Sequence, residues 1–275
     1  MQVDRTVFME PQEVIALAAE RLADLPAEKQ PDYITLVPDG EPTLDLHLDD
    51  LIRGLQSLEV PVAVITNGSL LAFPDVAAKL ARADFISVKV DAGSNGVWKR
   101  INRPHRSLTF EGVQRGILDF AENYRGMLVT ETMLVKDVND TTDEIEKMAL
   151  FLKKLDPFLA YIAIPTRPVP GKRVAQADPE AVLAAFDQFQ AADIEVELLT
   201  GYEGDQFVST GNLMRDLLNI SAVHPLRTGA VERLMQQSEG GWETVNRLIE
   251  EGHLMRVQYC GHTYYIRKFQ HMRGE

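Results

Sequence analysis

Tyr33-Ile34-Thr35-Leu36-Val37-Pro38-Asp39-Gly40-Glu41-Pro42-Thr43-Leu44 opens as a strand and closes as a loop. Tyr33 to Val37 is an apolar, β-forming run. Pro38 cannot donate a ladder hydrogen bond and ends it. The chain then turns through Asp39 and Gly40, and a helical pattern starts near Leu46. Two carboxylates and a hydroxyl therefore lie just beyond a strand's carboxyl end, which is where parallel α/β folds bind ligands. Gly40 lets the backbone approach a ligand closely, and Pro42 stiffens the turn. The competing reading of this segment is a tight strand-to-helix turn carrying a solvated Glu41.

Outward from this stretch, strands and helices alternate. Pro11 to Leu22 reads as a helix, with Pro at its start and Val14, Leu17, Ala18 and Leu22 on one face. Helices are expected from Leu46 to Leu58, Phe73 to Arg82, Thr109 to Tyr124, Thr142 to Leu155 and Pro179 to Ala191. Thr109 and Thr142 are read as caps. The strands after Val37 are expected at Val62 to Ile65, Phe85 to Val90, Met127 to Val135, Tyr161 to Ile164 and Val196 to Leu199. The segment after Asp91, with Trp98 and Asn102 to His105, reads as an irregular loop. Six strands alternating with helices predict a parallel sheet with right-handed crossovers. Six are fewer than a closed (β/α) barrel needs, so residues 1–208 are expected to form an incomplete parallel (β/α) barrel with an edge at the Tyr33 strand. After a Gly- and Ser-rich linker, three helical stretches precede a hairpin, Leu254 to Cys260 and Thr263 to Lys268, turning at Gly261-His262. Residues 209–275 therefore read as a small winged-helix domain.

Composition limits the function classes. The 275 residues are 45% hydrophobic and 25% charged, ordinary for a folded soluble chain. No apolar run reaches the roughly 18 residues of a membrane span, and the start lacks a signal-peptide layout. The single cysteine, Cys260, excludes an internal disulfide and a cysteine-only metal site, and fits a reducing cytoplasm. Residues from 209 onward carry 8 Lys and Arg against 7 Asp and Glu, out of totals of 28 and 41. The preceding body thus has 20 against 34, a net −14, which repels nucleic acid at long range.

Gly40-Glu41-Pro42-Thr43 after a hydrophobic strand resembles the amino-group-binding motif of radical S-adenosylmethionine enzymes. The longer string Val37 to Leu44, with Ile65-Thr66-Asn67-Gly68-Ser69-Leu70-Leu71 after it, is similar to a bacterial branch related to the wyosine-type tRNA-modifying enzymes. The resemblance runs from about Val3 to Lys268 and implies S-adenosylmethionine and a [4Fe–4S] cluster as cofactors. It implies that Gly40, Glu41, Pro42 and Thr43 hold the methionine amino group. Thr66, Asn67 and Asp91 would lie by the carboxylate and ribose, and Pro165, Thr166 and Arg167 by the adenine. The chain departs from the family at one point: the Cys-x3-Cys-x2-Cys loop that ligates the cluster is absent. Its place would be upstream of Met1, so the expectation is either a chain that begins inside a longer reading frame or one that has lost catalysis.

Other strand-end residues are candidates for substrate contact: Lys89, Arg103, His105, Glu131 and Asn139. Lys89 and Asp91 are read with equal weight as an ion pair or as ligand contacts, His105 as a loop residue, and Cys260 as structural. Two alternatives stand beside the family reading. One is a cluster-free barrel lyase that forms a Schiff base on Lys89 with Glu41 or Asp91 as base. The other is a non-catalytic binding protein whose winged helix docks RNA or protein. Duplex DNA is disfavoured, because Arg247 on the third helix faces Glu243, Glu250 and Glu251. Arg267, Lys268 and Arg273 leave room for contact with structured RNA.

Overall fold

A computed structural model describes residues 4–26, 30–37, 40–166, 174–199, 207, 209–259 and 261–268. The chain divides into two compact units, residues 1–164 with 175–200, and residues 165–174 with 201–275.

The first unit is built on six parallel strands in chain order: β1 (Ile34–Leu36), β2 (Val62–Thr66), β3 (Phe85–Lys89), β4 (Met127–Met133), β5 (Leu159–Ala163) and β6 (Val196–Leu199). Among the described strands, β1 and β6 each have one neighbour, so β1 is an edge as the sequence predicts. The helices are α1 (Pro11–Ala23), α2 (Leu48–Gln56), α3 (Pro74–Leu80), α4 (Asn95–Ile101), α5 (Phe110–Asn123), α6 (Thr142–Leu155) and α7 (Pro179–Ala191). Side chains alternate across a strand, and Val62, Val64, Ile86, Val88, Ala160 and Ile162 bury themselves in one core with Ile52, Leu80, Ile117, Met148, Leu152 and Phe189 from the helices. Each fully buried aliphatic side chain contributes about 1.5–3 kcal/mol. The opposite face carries an in-register polar row, Lys89, Glu131, Tyr161 and Glu197, on four successive strands.

Three local expectations need correction. Trp98 lies in helix α4, not in an irregular loop. Only seven residues long and containing Gly96, α4 gives little periodic signal. Its start is instead supported from a distance, because Glu144 of α6 accepts from the Gly93 and Ser94 amides at 2.7 and 2.9 Å and from the Ser94 hydroxyl at 2.7 Å. Thr141 caps α6 by accepting from the Glu144 amide, which places Thr142 in the first turn. The helix expected from Leu46 starts at Leu48 and ends at Gln56, and a separate 3-10 turn at Pro42–Leu44 precedes it.

The second unit contains α8 (Leu213–Val223), β7 (Leu226–Arg227), α9 (Thr228–Gln237), α10 (Trp242–Glu250), β8 (Leu254–Tyr259) and β9 (His262–Arg267). The hairpin forms, with Leu254 opposite Arg267 and Tyr259 opposite His262. A short strand absent from the sequence reading, β7, pairs antiparallel with β9 and makes a three-stranded sheet of order β7-β9-β8. Leu213, Leu217, Leu226, Val231, Leu234, Val245, Leu248 and Leu254 form a separate core. No described helix is long and apolar enough to cross a membrane.

Candidate functional site

Glu41 organises the strand ends. It is only 9% exposed and sits at the N-cap of the 3-10 turn. One carboxylate oxygen, Oε1, accepts from the Thr43 amide at 3.1 Å and from the Thr43 and Thr66 hydroxyls at 2.6 Å each. The other, Oε2, accepts from the Asn67 amide at 2.8 Å. A buried carboxylate needs such donors to offset its desolvation. The reading of Glu41 as a solvated turn residue is thereby corrected, because it ties the loop after β1 to the end of β2. The Thr66 hydroxyl accepts from the Gly68 amide and Asn67 Oδ1 from the Ser69 amide, which closes the turn beyond β2. Gly68 adopts φ 69°, and a Cβ there would lie 2.9 Å from Ile117 Cδ1, so that turn requires glycine.

A second polar group joins β3 to β4. Lys89 Nζ lies 2.8 Å from Glu131 Oε1 and 3.3 Å from Asp91 Oδ1. Burial alone would depress the Lys89 pKa, but the Asp91 and Glu131 carboxylates outweigh it and the net shift is upward. Lys89 and Asp91 thus form an ion pair in the structure. A Schiff-base lysine must lose its proton to attack a carbonyl, and two carboxylates oppose that here. Asp91 also accepts from the Met133 amide at 2.9 Å and from Asn102 Nδ2 at 3.3 Å. Asn139 is fully buried, and its amide bonds the backbone of Val135, Asp91 and Met133. It braces the ends of β3 and β4.

Beside β1 lies a cavity of about 860 Å³ within the first unit. Gly40, Glu41, Pro42, Asn67, Arg103 and His105 line part of it, so it gathers residues from three separate stretches that the sequence singles out. Leu36, Leu48, Trp98 and Val113 supply apolar wall. An ideal Cβ on Gly40 would meet nothing within 4 Å, which leaves its backbone open to a ligand. Thr43 and Thr66 support this wall from behind through Glu41. Lys89, Glu131 and Asn139 are not part of the lining. Pro165 and Thr166 belong to the second unit, where their carbonyls accept from the Tyr259 and Tyr264 hydroxyls at 3.0 and 2.9 Å. Asp39, Arg167 and Cys260 lie outside the described residues.

Sequence reading missed Trp98 as cavity wall, Glu144 as the brace of α4, and Tyr161 and Glu197 as the extension of the Lys89–Glu131 row. Burial, then the nearby Glu197 carboxylate, push the Tyr161 hydroxyl pKa up. The available signal for the last two was position, since each falls on the next strand in register.

The profile of the radical SAM superfamily matches residues 4–152. The chain belongs to the radical SAM superfamily. It is 34% identical over 271 residues to a UPF0026 protein of Methanocaldococcus jannaschii, covering 98% of this chain and 84% of that protein. The chain spans less than two thirds of the length of four other curated relatives it matches. Its fold is similar to that of a radical SAM methyltransferase from Sphaerobacter thermophilus, with a TM-score of 0.54 and 18% identity over 71% of this chain and 59% of that one. It is also similar to archaeal TYW1, with a TM-score of 0.44 and 20% identity over 57% of each chain.

The radical SAM superfamily implies S-adenosylmethionine and a [4Fe–4S] cluster. Cluster iron needs thiolate ligands. This chain has one cysteine, and among the described residues no group of three or more His, Cys, Asp or Glu is placed to hold a metal. The residues of this chain do not fit the cluster, whereas the open backbone at Gly40 and the polar end of the cavity do fit a small polar ligand.

Proposed function

We propose that the first unit is a partial (β/α) barrel of the radical SAM type whose cavity binds S-adenosylmethionine weakly, and that this chain alone does not ligate the cluster. The observation that carries this reading is the convergence of Gly40 to Pro42 and Asn67 on one cavity wall inside the residues matched by the superfamily. Glu41 acts there as a positioning residue. Its oxygens are engaged by Thr43, Thr66 and Asn67, so it shapes the backbone that a ligand's ammonium group would meet. Asp91 braces the neighbouring strand ends through Met133 and Asn102. Calorimetry with S-adenosylmethionine tests the reading. The expected result is a dissociation constant well above micromolar in the chain as given, lost in Gly40→Leu. That variant adds a side chain into space with no neighbour within 4 Å, so the fold should tolerate it. Iron analysis after anaerobic reconstitution should give far less than four irons per chain. Micromolar affinity or a stoichiometric cluster overturns the proposal.

We further infer that the second unit is a winged-helix module used for docking RNA or protein and not duplex DNA. Its order of helix, short strand, two helices and hairpin, closed by the β7-β9-β8 sheet, supports this. The single cysteine and the absence of a spanning helix among the described residues accord with a cytoplasmic protein.

A further inference from the structure

The cavity has a cationic rim, and its charge points to a class of ligand that the sequence analysis left open. In a chain with 28 Lys and Arg against 41 Asp and Glu, residues 99–106 hold Lys99, Arg100, Arg103, His105 and Arg106 and no acid. Lys99 and Arg100 lie in the last turn of α4, where a cation complements the helix dipole, and Arg100 donates to the Asp137 carbonyl at 2.7 Å. Those two have a structural explanation. Arg103 and His105 line the cavity, and Arg103 has no ion-pair partner among the described residues.

The backbone of Arg103 adds a second observation. It follows the C-cap Asn102 and adopts φ 48°, in the left-handed region. Helices usually place glycine there, because a Cβ costs free energy in that conformation. Keeping an arginine at a strained position whose side chain forms no ion pair, at the mouth of a cavity, is the pattern of a residue held for a ligand. The Nδ1 of His105 lies 2.8 Å from the Ser107 hydroxyl, which fixes the ring on the same wall. Glu41 and Asp45 also line the cavity, but Glu41 is engaged by its four donors and Asp45 Oδ1 accepts from the His47 amide.

We propose that Arg103, with His105, forms a phosphate-recognising end of this cavity, so that the molecule accepted beside β1 carries a phosphate ester. The guanidinium fork matches an oxyanion in two-point contact. With Arg106 close by in sequence and no acid between residues 99 and 106, the segment favours a group of more than one negative charge over a single carboxylate. This deepens the reading of the cavity as a ligand site and does not depend on S-adenosylmethionine occupying it.

The test uses the two tryptophans. Trp98 lines the cavity at 8% exposure and Trp242 lies in the second unit, so Trp242→Phe leaves Trp98 as the sole reporter. Inorganic pyrophosphate, titrated at constant ionic strength, should change Trp98 emission saturably, and sodium chloride should not. Arg103→Gly in that background should weaken pyrophosphate binding about tenfold or more and raise the thermal midpoint, because it relieves the left-handed strain. Arg125→Gly, at a cation outside the cavity, should leave the affinity unchanged. No saturable change in the parent, or equal affinity in Arg103→Gly, overturns the proposal. A lowered midpoint in Arg103→Gly with equal affinity shows a structural role instead, which also overturns it. Parallel arms with adenosine 5′-monophosphate and with a short RNA separate a free phosphate monoester from a nucleic-acid backbone. Gly40→Leu separates the two readings: loss of S-adenosylmethionine binding with pyrophosphate binding retained would leave this site standing by itself.

Discussion

Glu41 accepts from two backbone amides and two hydroxyls, and its replacement by glutamine turns one acceptor oxygen into a donor facing another donor. Leaving a buried donor unsatisfied costs about 1–3 kcal/mol, more where a charge-assisted bond is lost. Glu41→Gln should therefore lower stability by about 2–3 kcal/mol in a urea titration, while an exposed carboxylate such as Glu13 changed in the same way should shift it by less than about 0.5 kcal/mol. Lys89 makes the converse case. Lys89→Met leaves Asp91 and Glu131 facing each other without a cation, and should cost about 2 kcal/mol at neutral pH, below the fully buried range because Lys89 keeps 21% of its side chain exposed. The pH dependence follows from the same geometry. Lys89 is pushed above its ordinary 10.5 because the two carboxylates outweigh burial, and Tyr124 is pushed above its ordinary 10.0 by burial and then by Asp84 and Tyr33. Both groups keep their protons longer when folded than when unfolded. Their contributions are complete below pH 10 and decline as pH rises beyond it. The urea midpoint should stay level from pH 8 to 9.5 and fall above about pH 10, with Lys89→Met flattening part of that fall.

At the scale of elements, α4 shows what was legible and what was not. The six strands and the long helices could be read because each repeats apolar residues at a period that its burial requires, as Ile86 and Val88 do in β3 and Ile145, Met148 and Leu152 do in α6. Gly40 to Pro42 and Asn67 could be read as strand-end residues because the breakers Pro38-Asp39-Gly40 and Asn67-Gly68 are local information. The brace on α4 could not: Glu144 is fifty residues from Ser94, and two of its three donors are backbone amides with no sequence signature. The Arg103 conformation was hidden for a related reason, since residue type there argues against a left-handed turn. β7 was too short, at two residues, to give an alternating pattern. The contact that lets Glu144 reach α4 depends on Gly93, whose ideal Cβ would lie 2.5 Å from Lys147 Cβ and 2.7 Å from the Met148 amide nitrogen. Gly93→Ala must push α6 away and should cost about 1–3 kcal/mol by overpacking. Tyrosine at Ser94 would disturb the same corner ambiguously, so alanine at Gly93 with a thermal melt is the cleaner measurement, and an unchanged midpoint would show that α6 yields freely.

At the scale of the whole molecule, charge bears on the docking role proposed for the second unit. Affinity for a duplex comes mainly from Lys and Arg neutralising phosphates, and each such contact steepens the salt dependence. Helix α10, which would enter a groove, offers Arg247 among Glu243, Glu250 and Glu251. Arg227 is directed to Tyr264, whose ring lies 5.4 Å from its guanidinium carbon and whose hydroxyl accepts from its Nε at 2.9 Å. Arg256, Arg267 and Lys268 remain on the hairpin, and residues 1–208 carry 20 basic against 34 acidic side chains. Two or three phosphate contacts give a slope near −2 to −3 in log affinity against log salt, too little to hold a duplex at physiological ionic strength. A structured RNA presents shape and 2′-hydroxyls as well as charge and is less dependent on that count. A gel-shift titration at physiological salt should therefore show no sub-micromolar complex with a random duplex, and any complex with transfer RNA should weaken when Arg267 and Lys268 are both changed to glutamine. Sub-micromolar duplex binding would mean that the helix and hairpin cations act together in a way their acidic neighbours should prevent, and the docking assignment of this unit would fall with it.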